Sequence, residues 1–133
     1  MSMAVAKSVV AVVDDDERLL ESLENLLESA GHRVLTFTSS KRFVEEGIAG
    51  QIDCLVADIG MPGIDGFELQ RLAKEARPDL PVILITGRHE IADQQRALVL
   101  GHEGFFRKPF DVQALLAAIE RALFKTEDQH GDG

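Results

Sequence analysis

The residues of this chain that could do chemistry are few: the consecutive carboxylates Asp14, Asp15 and Asp16, the separate Asp58, the hydroxyl of Thr86 and the ammonium of Lys108. Each closes or directly follows a short apolar run. Taken singly, each has an ordinary explanation, since an aspartate after a strand is usually a helix cap and a lysine is usually solvated surface. Brought into one partly buried cleft, however, Asp14, Asp15 and Asp58 would repel one another, raising their pKa values unless a cation is present. A hard divalent ion is the remedy. Mg²⁺, or Mn²⁺ in its place, takes oxygen ligands and keeps several waters, so one or two carboxylates, a backbone carbonyl and a phosphoryl oxygen satisfy it. Asp16, at the start of a helical stretch, reads as that helix's cap.

These side chains meet only if the elements carrying them do. Apolar runs at residues 8–13, 33–37, 52–57, 81–86 and 104–107 alternate with amphipathic stretches, a rhythm that predicts parallel strands covered on both faces by helices. The first helix is expected over 16–30, with Leu19, Leu23, Leu26, Leu27 and Ala30 at helical spacing and Gly31 as its stop. A second spans 41–48, opened by Ser39 or Ser40, and a third spans 65–76, ended by Arg77-Pro78. A fourth, 90–100, carries a thin apolar stripe interrupted by Gln94, Gln95 and Arg96. The fifth, 111–124, is capped by Asp111 and lines up Val112, Leu115, Leu116, Ile119, Ala122 and Leu123. Right-handed crossovers then give a doubly wound α/β fold, a five-stranded parallel sheet with five helices, for which the order 2-1-3-4-5 is the common solution at this size. Ligands of such sheets bind at the carboxyl ends of the strands, where Asp14, Asp15, Asp58, Thr86 and Lys108 all fall.

Bulk properties agree with one globular domain over 8–124, preceded by an extension, 1–7, and followed by a polar, frayed tail, 125–133. Of 133 residues, 45% are apolar and 28% charged, which argues against disorder. The net charge of −9 disfavours direct binding to nucleic acid or to acidic membrane surfaces. The lone Cys54 reads as a buried thiol in a reducing compartment. Neither a signal-peptide core nor an apolar run of roughly 20 residues is present, so the expected location is cytoplasmic. His32, His89, His102 and His130 lack metal-ligand spacing and are expected at the surface or in loops.

Four runs carry a resemblance: Val12-Val13-Asp14-Asp15-Asp16-Glu17, Asp58-Ile59-Gly60-Met61-Pro62-Gly63-Ile64-Asp65-Gly66, Ile85-Thr86-Gly87 and Lys108-Pro109-Phe110. In this order and spacing they resemble the receiver domain of two-component response regulators, a flavodoxin-like (CheY-like) fold, most closely its FixJ-type subgroup. The resemblance covers about residues 8 to 124. It implies that Asp58 accepts a phosphoryl group from a sensor histidine kinase or phosphotransfer protein. It further implies that Asp15 ligates Mg²⁺ directly, that Asp14 does so through water, and that the Gly60 carbonyl completes the protein's share beside Asp58. Lys108 matches the lysine that pairs with a phosphoryl oxygen, and Thr86 the hydroxyl that reaches another. Phe105 matches an aromatic switch position, with a plain core phenylalanine as the equal alternative. The implied output is a change in the face formed by helix 4, strand 5 and helix 5, in the family often a homodimer surface.

Several positions depart from the family's usual wording. Gly60 offers no side chain two residues after the acceptor, which opens the loop to water, and Arg88 stands where it could screen that opening or contact the phosphoryl group. His102-Glu103 replace small residues before strand 5. The Lys108-Pro109 bond could be cis, although trans is the default for any X-Pro pair. Met61-Pro62-Gly63 reads as a turn. With no DNA-reading segment after Phe124, the chain reads as a stand-alone receiver or a piece of a longer regulator. Two rivals remain. A haloacid-dehalogenase-like phosphatase shares the aspartyl-phosphate chemistry but places its nucleophile after strand 1 and needs a further acidic pair, where only Asp111 follows Lys108. A receiver-like interaction module that is never phosphorylated would not need the acceptor, acidic pair, threonine and lysine together. A phosphoacceptor that is not a turnover enzyme is therefore the expectation.

Overall fold

The computed structural model describes residues 7–87, 91–100 and 104–131, with positions 91, 100 and 125–131 through their backbone only. Along the chain come β1 (Val9–Val13), α1 (Glu17–Ser29), β2 (Arg33–Phe37), α2 (Ser40–Glu46), a 3-10 turn at Ala49–Gln51, β3 (Cys54–Asp58), α3 (Gly66–Ala76), β4 (Val82–Thr86), α4 (Ile91–Leu100), β5 (Gly104–Arg107) and α5 (Val112–Gly131). The strands form one parallel sheet in the order β2-β1-β3-β4-β5. This is the doubly wound α/β topology expected from the alternation of runs.

Because helices cover both faces, the central strands are apolar on both sides, and β3 and β4 are buried from end to end. Ala11, Val13, Leu55, Ala57, Val82 and Leu84 meet Phe43, Phe67, Leu69, Ala73 and Ala97 on one face. Val10, Val12, Cys54, Val56, Ile83 and Ile85 meet Leu20, Leu23, Leu27, Leu115, Ile119 and Ala122 on the other. Each fully buried aliphatic side chain contributes about 1.5–3 kcal/mol, so this two-sided core is the platform on which the strand ends are held. Helix starts are capped by side chains: Asp16 accepts from the Arg18 and Leu19 amides, Ser39 from Arg42, Asp65 from Glu68, and Asp111 from Gln113.

Some boundaries and faces differ from expectation. In α1 the inward line is Leu20, Leu23 and Leu27, while Leu19 and Leu26 are half-buried and Ala30 is the exposed C-cap. A leucine-rich helix offers two adjacent stripes, and the sheet selects one. The chain enters β3 at Cys54, after the 3-10 turn, and β3 takes in Asp58. Helix α5 continues past Phe124 to Gly131, since no glycine or proline interrupts the stretch between. Cys54 is buried, as expected. Arg88, His89, Glu90, His102, Glu103 and residues 1–6 lie outside the described residues. No described helix is long and apolar enough to cross a membrane.

Candidate functional site

At the carboxyl end of the sheet, backbone bonds fix each strand end before any side chain acts. The Asp14 amide donates to Phe37 O at 3.0 Å, the Ile59 amide to Ile85 O at 2.8 Å and the Lys108 amide to Thr86 O at 2.7 Å. Asp14 is fully buried just past β1, and its Oδ1 accepts from the Asp16 amide at 2.8 Å. Asp58 ends β3, nearly buried, with Oδ1 accepting from the Gly60 amide at 2.9 Å. Lys108 reaches over from beyond β5, placing its Nζ 2.8 Å from Asp14 Oδ2 and 3.2 Å from Asp58 Oδ2. The Lys108-Pro109 peptide is cis. Asp15 is exposed at the rim, and one carboxylate oxygen each of Asp14, Asp15 and Asp58 lie within 4.8 Å of one another.

Burial, more than mutual repulsion, sets the electrostatics. Desolvation pushes the Asp14 carboxyl above its ordinary value, the Lys108 ammonium and the Asp16 amide offset part of that, and Asp58 adds to it. The expected repulsion is there as the Asp58 contribution, smaller than that of burial, with Lys108 set between the two carboxylates. For Lys108 itself burial works against the charge, but Asp14 and Asp58 together outweigh it and raise its pKa. Asp14 Oδ2 is buried, and although the ammonium approaches it at ion-pair distance, no donor among the described residues is aligned with it as a hydrogen bond. Three carboxylates converging at the strand ends, each offering an oxygen within 4.8 Å of the others, fit a hard cation. The acidic cluster could therefore hold a metal ion.

The remaining expected residues surround this centre. Gly60 is exposed directly after Ile59, and a Cβ there would meet only Asp58 Oδ1, at an ordinary 3.6 Å, so packing does not demand a glycine. Thr86 is fully buried at the end of β4, one residue beyond Ile85, the register partner of Asp58. Phe105 lies opposite Leu84 and packs, half-buried, on the core face lined by α3 and α4. Asp16 is a cap, and Asp111 likewise. His32 lies in the α1–β2 loop, as expected, and its Nε2, 3.2 Å from Glu120 Oε2, joins that turn to α5. Two contacts of α4 had no sequence signal, namely Arg96 over the Phe67 ring at 4.5 Å and Arg107 Nη2 to Gln94 Oε1 at 3.4 Å. Gly66 closes the Asp58–Gly66 run, and a glycine opening a helix, being a poor helix former, is a sign of some other demand.

The sequence profile of the family described as response regulator receiver domain matches residues 10–120. The transcriptional regulatory protein FixJ of Azorhizobium caulinodans is 38% identical over 120 residues, covering 90% of this chain and 57% of that protein. The response regulator protein TodT of Pseudomonas putida is 36% identical over 121 residues, covering 91% of this chain and 53% of that protein. Among solved structures, the CheY-like receiver domain protein from Methanospirillum hungatei JF-1 matches with a TM-score of 0.85 at 25% identity, covering 93% of this chain and 99% of that one. The chain belongs to the response regulator receiver domain family, the phosphoacceptor class of two-component signal transduction. It spans a little over half the length of the curated relatives named here. Receiver domains interact with histidine kinases or phosphotransfer proteins and are generally not turnover enzymes.

Proposed function

We propose that Asp58 takes the phosphoryl group, from a sensor histidine kinase or phosphotransfer protein, and that the chain acts as a switch rather than a turnover enzyme. The observation that supports this best is the Lys108 ammonium, 2.8 Å from Asp14 and 3.2 Å from Asp58, beside the three-carboxylate cluster. A carboxylate oxygen of Asp58 attacks phosphorus, the bond from phosphorus to the donor nitrogen breaks, and the electron pair leaves with the imidazole. A carboxylate nucleophile needs no base, so positioning and charge neutralisation carry the reaction. Asp14, Asp15, Asp58 and the Gly60 carbonyl are the residues that would hold Mg²⁺, or Mn²⁺, which when bound neutralises charge on the phosphoryl oxygens. The Gly60 amide orients Asp58, and Lys108 exchanges its carboxylate partners for a phosphoryl oxygen. The Thr86 hydroxyl turns toward another phosphoryl oxygen and Phe105 follows inward, which reshapes the α4-β5-α5 face. Leu98, Val99 and Phe124, exposed by 68%, 86% and 70%, give that face the apolar surface a phosphorylation-dependent homodimer would cover. The switch works in the cytoplasm, within a domain of residues 8–124 flanked by 1–7 and 125–133, and does not itself bind nucleic acid.

Incubation with Mg²⁺ and acetyl phosphate, followed by intact-mass measurement, tests the reading. The wild-type chain gains one phosphoryl group, and Asp58→Asn gains none. An equal mass gain in Asp58→Asn moves the acceptor elsewhere, and steady turnover of unrelated phosphate esters replaces the switch with a phosphatase.

A further inference from the structure

We infer that the start of α3 positions the reacting carboxylate, with Gly66, held in place by the helix cap Asp65, serving as a positioning residue for phosphoryl transfer; the inference rests on the proposed role of Asp58. Gly66 is buried as the first residue of α3. A Cβ built on it would lie 2.6 Å from Ile59 Cα, 2.7 Å from Asp58 O and 2.9 Å from Asp58 C. All three are backbone atoms, which cannot rotate out of the way. Gly66 does not have a positive φ, unlike Gly31, Gly47 and Gly63, so space rather than conformational freedom is what the position demands.

The consequence falls on Asp58. Its carbonyl and the Ile59 amide form one peptide unit, held on the β4 side by Ile59 N to Ile85 O at 2.8 Å, and the next peptide, Ile59–Gly60, is held on the α3 side by the Gly66 amide donating to Ile59 O at 3.1 Å. The helix end presses on that peptide at the closest distance a missing side chain allows. Asp65 fixes the helix end in turn, its Oδ1 accepting from the Glu68 amide at 2.9 Å and its carbonyl from the Leu69 amide at 2.9 Å. Any Cβ at Gly66 must drive the Asp58 peptide away from α3, or α3 away from it. The first movement displaces the Asp58 carboxylate from Lys108 and Asp14 directly, and the second withdraws the Gly66 amide from Ile59 O and so loosens the loop that holds it; a misplacement near 1 Å is enough to slow a positioned reaction severely.

Gly66→Ala tests this against Ala73→Gly, a change farther along α3 that weakens the same helix without approaching the loop. Both are compared at a temperature where each is folded, by phosphorylation rate at Asp58 and by a Mg²⁺ titration followed through amide spectra. The brace predicts a loss of ~10-fold or more in both quantities for Gly66→Ala, with Ala73→Gly within about twofold of wild type. Equal behaviour of the two variants overturns it. If Gly66→Ala does not fold, the cap decides: Asp65→Ala should slow phosphorylation and weaken Mg²⁺ binding, while Asp65→Asn, which still caps, restores both. Wild-type behaviour of Asp65→Ala then overturns the inference. A wild-type chain that takes no phosphoryl group refutes the role of Asp58, while the Mg²⁺ comparison still judges the brace.

Discussion

Asp14 and Asp15 are neighbours in sequence and opposites in environment, one fully buried and the other at the rim. Asp14 ionises near 3.8 in an unfolded chain and higher in the fold, chiefly because burial disfavours its charge. Its charged form therefore costs stability at neutral pH. That cost is relieved as pH falls through the raised folded value, and it is gone below 3.8. A bound cation relieves it at neutral pH instead. Mg²⁺ should accordingly raise Tm, with a stabilisation of about 2.7 kcal/mol at a hundredfold excess over its Kd, and the gain should shrink on acidification as protons compete at Asp14. Thermal unfolding with and without Mg²⁺ between about pH 4 and 8 checks this, and a Mg²⁺ effect independent of pH contradicts it. Lys108 runs the other way: its raised pKa contributes stability that is complete below 10.5 and is lost only as pH climbs through the folded value. Its half of the ion pair is thus constant over the range of that experiment.

Among the elements, α1 and α4 differ in what holds them. Asp16 begins α1 with two amides on its Oδ1 and takes no place in the acidic cluster. Asp16→Ala should cost about 1 kcal/mol of stability and leave Mg²⁺ affinity unchanged in a calorimetric titration; a drop in affinity would return Asp16 to the metal site. Helix α4 buries Ala97 and Asp93, points Leu98 and Val99 outward, and leans on α3 through Arg96 over Phe67. An exposed cation–π contact is worth about 0.5–1 kcal/mol. Arg96→Ala should therefore speed amide exchange within 91–100 while exchange in β3 and β4 stays slow, and uniform acceleration across the chain would show that α4 is not a separable unit.

At the scale of the whole molecule, the proposed switch must carry a change in the carboxylate pocket to the α4-β5-α5 face. Beryllofluoride with Mg²⁺ stands in for the phosphoryl group and should shift amide signals through 104–107 and α4 as well as those beside Asp58. A two-state surface responds only as far as the ligand favours one state. Thr86→Ala should keep the local shifts and lose the distant ones, while identical spectra for the two proteins would dismiss the Thr86 and Phe105 route. Sedimentation in the same solutions checks the homodimer. Val99→Glu, at a position exposed by 86%, should leave folding and phosphorylation intact yet hold the protein monomeric.

What the sequence determined by itself was whatever local chemistry encodes. Apolar runs and helical periodicity were enough for the five strands and five helices, because doubly covered strands must be apolar throughout, while the sheet order matched the common arrangement for a doubly wound sheet of this size. The strand-end positions of Asp14, Asp58, Thr86 and Lys108 were legible for the same reason. Tertiary structure decided what depends on distant neighbours. It chose Leu20 over Leu26 as an inward residue of α1, because two stripes were equally apolar and only the sheet could select. It also buried Asp14 and left Asp15 in water, a difference of one residue that no pattern of charges announces. And it assigned Gly66 its demand for space, since the atoms that forbid a side chain there, the Asp58 carbonyl and Ile59 Cα, come within 3 Å only when the loop has closed.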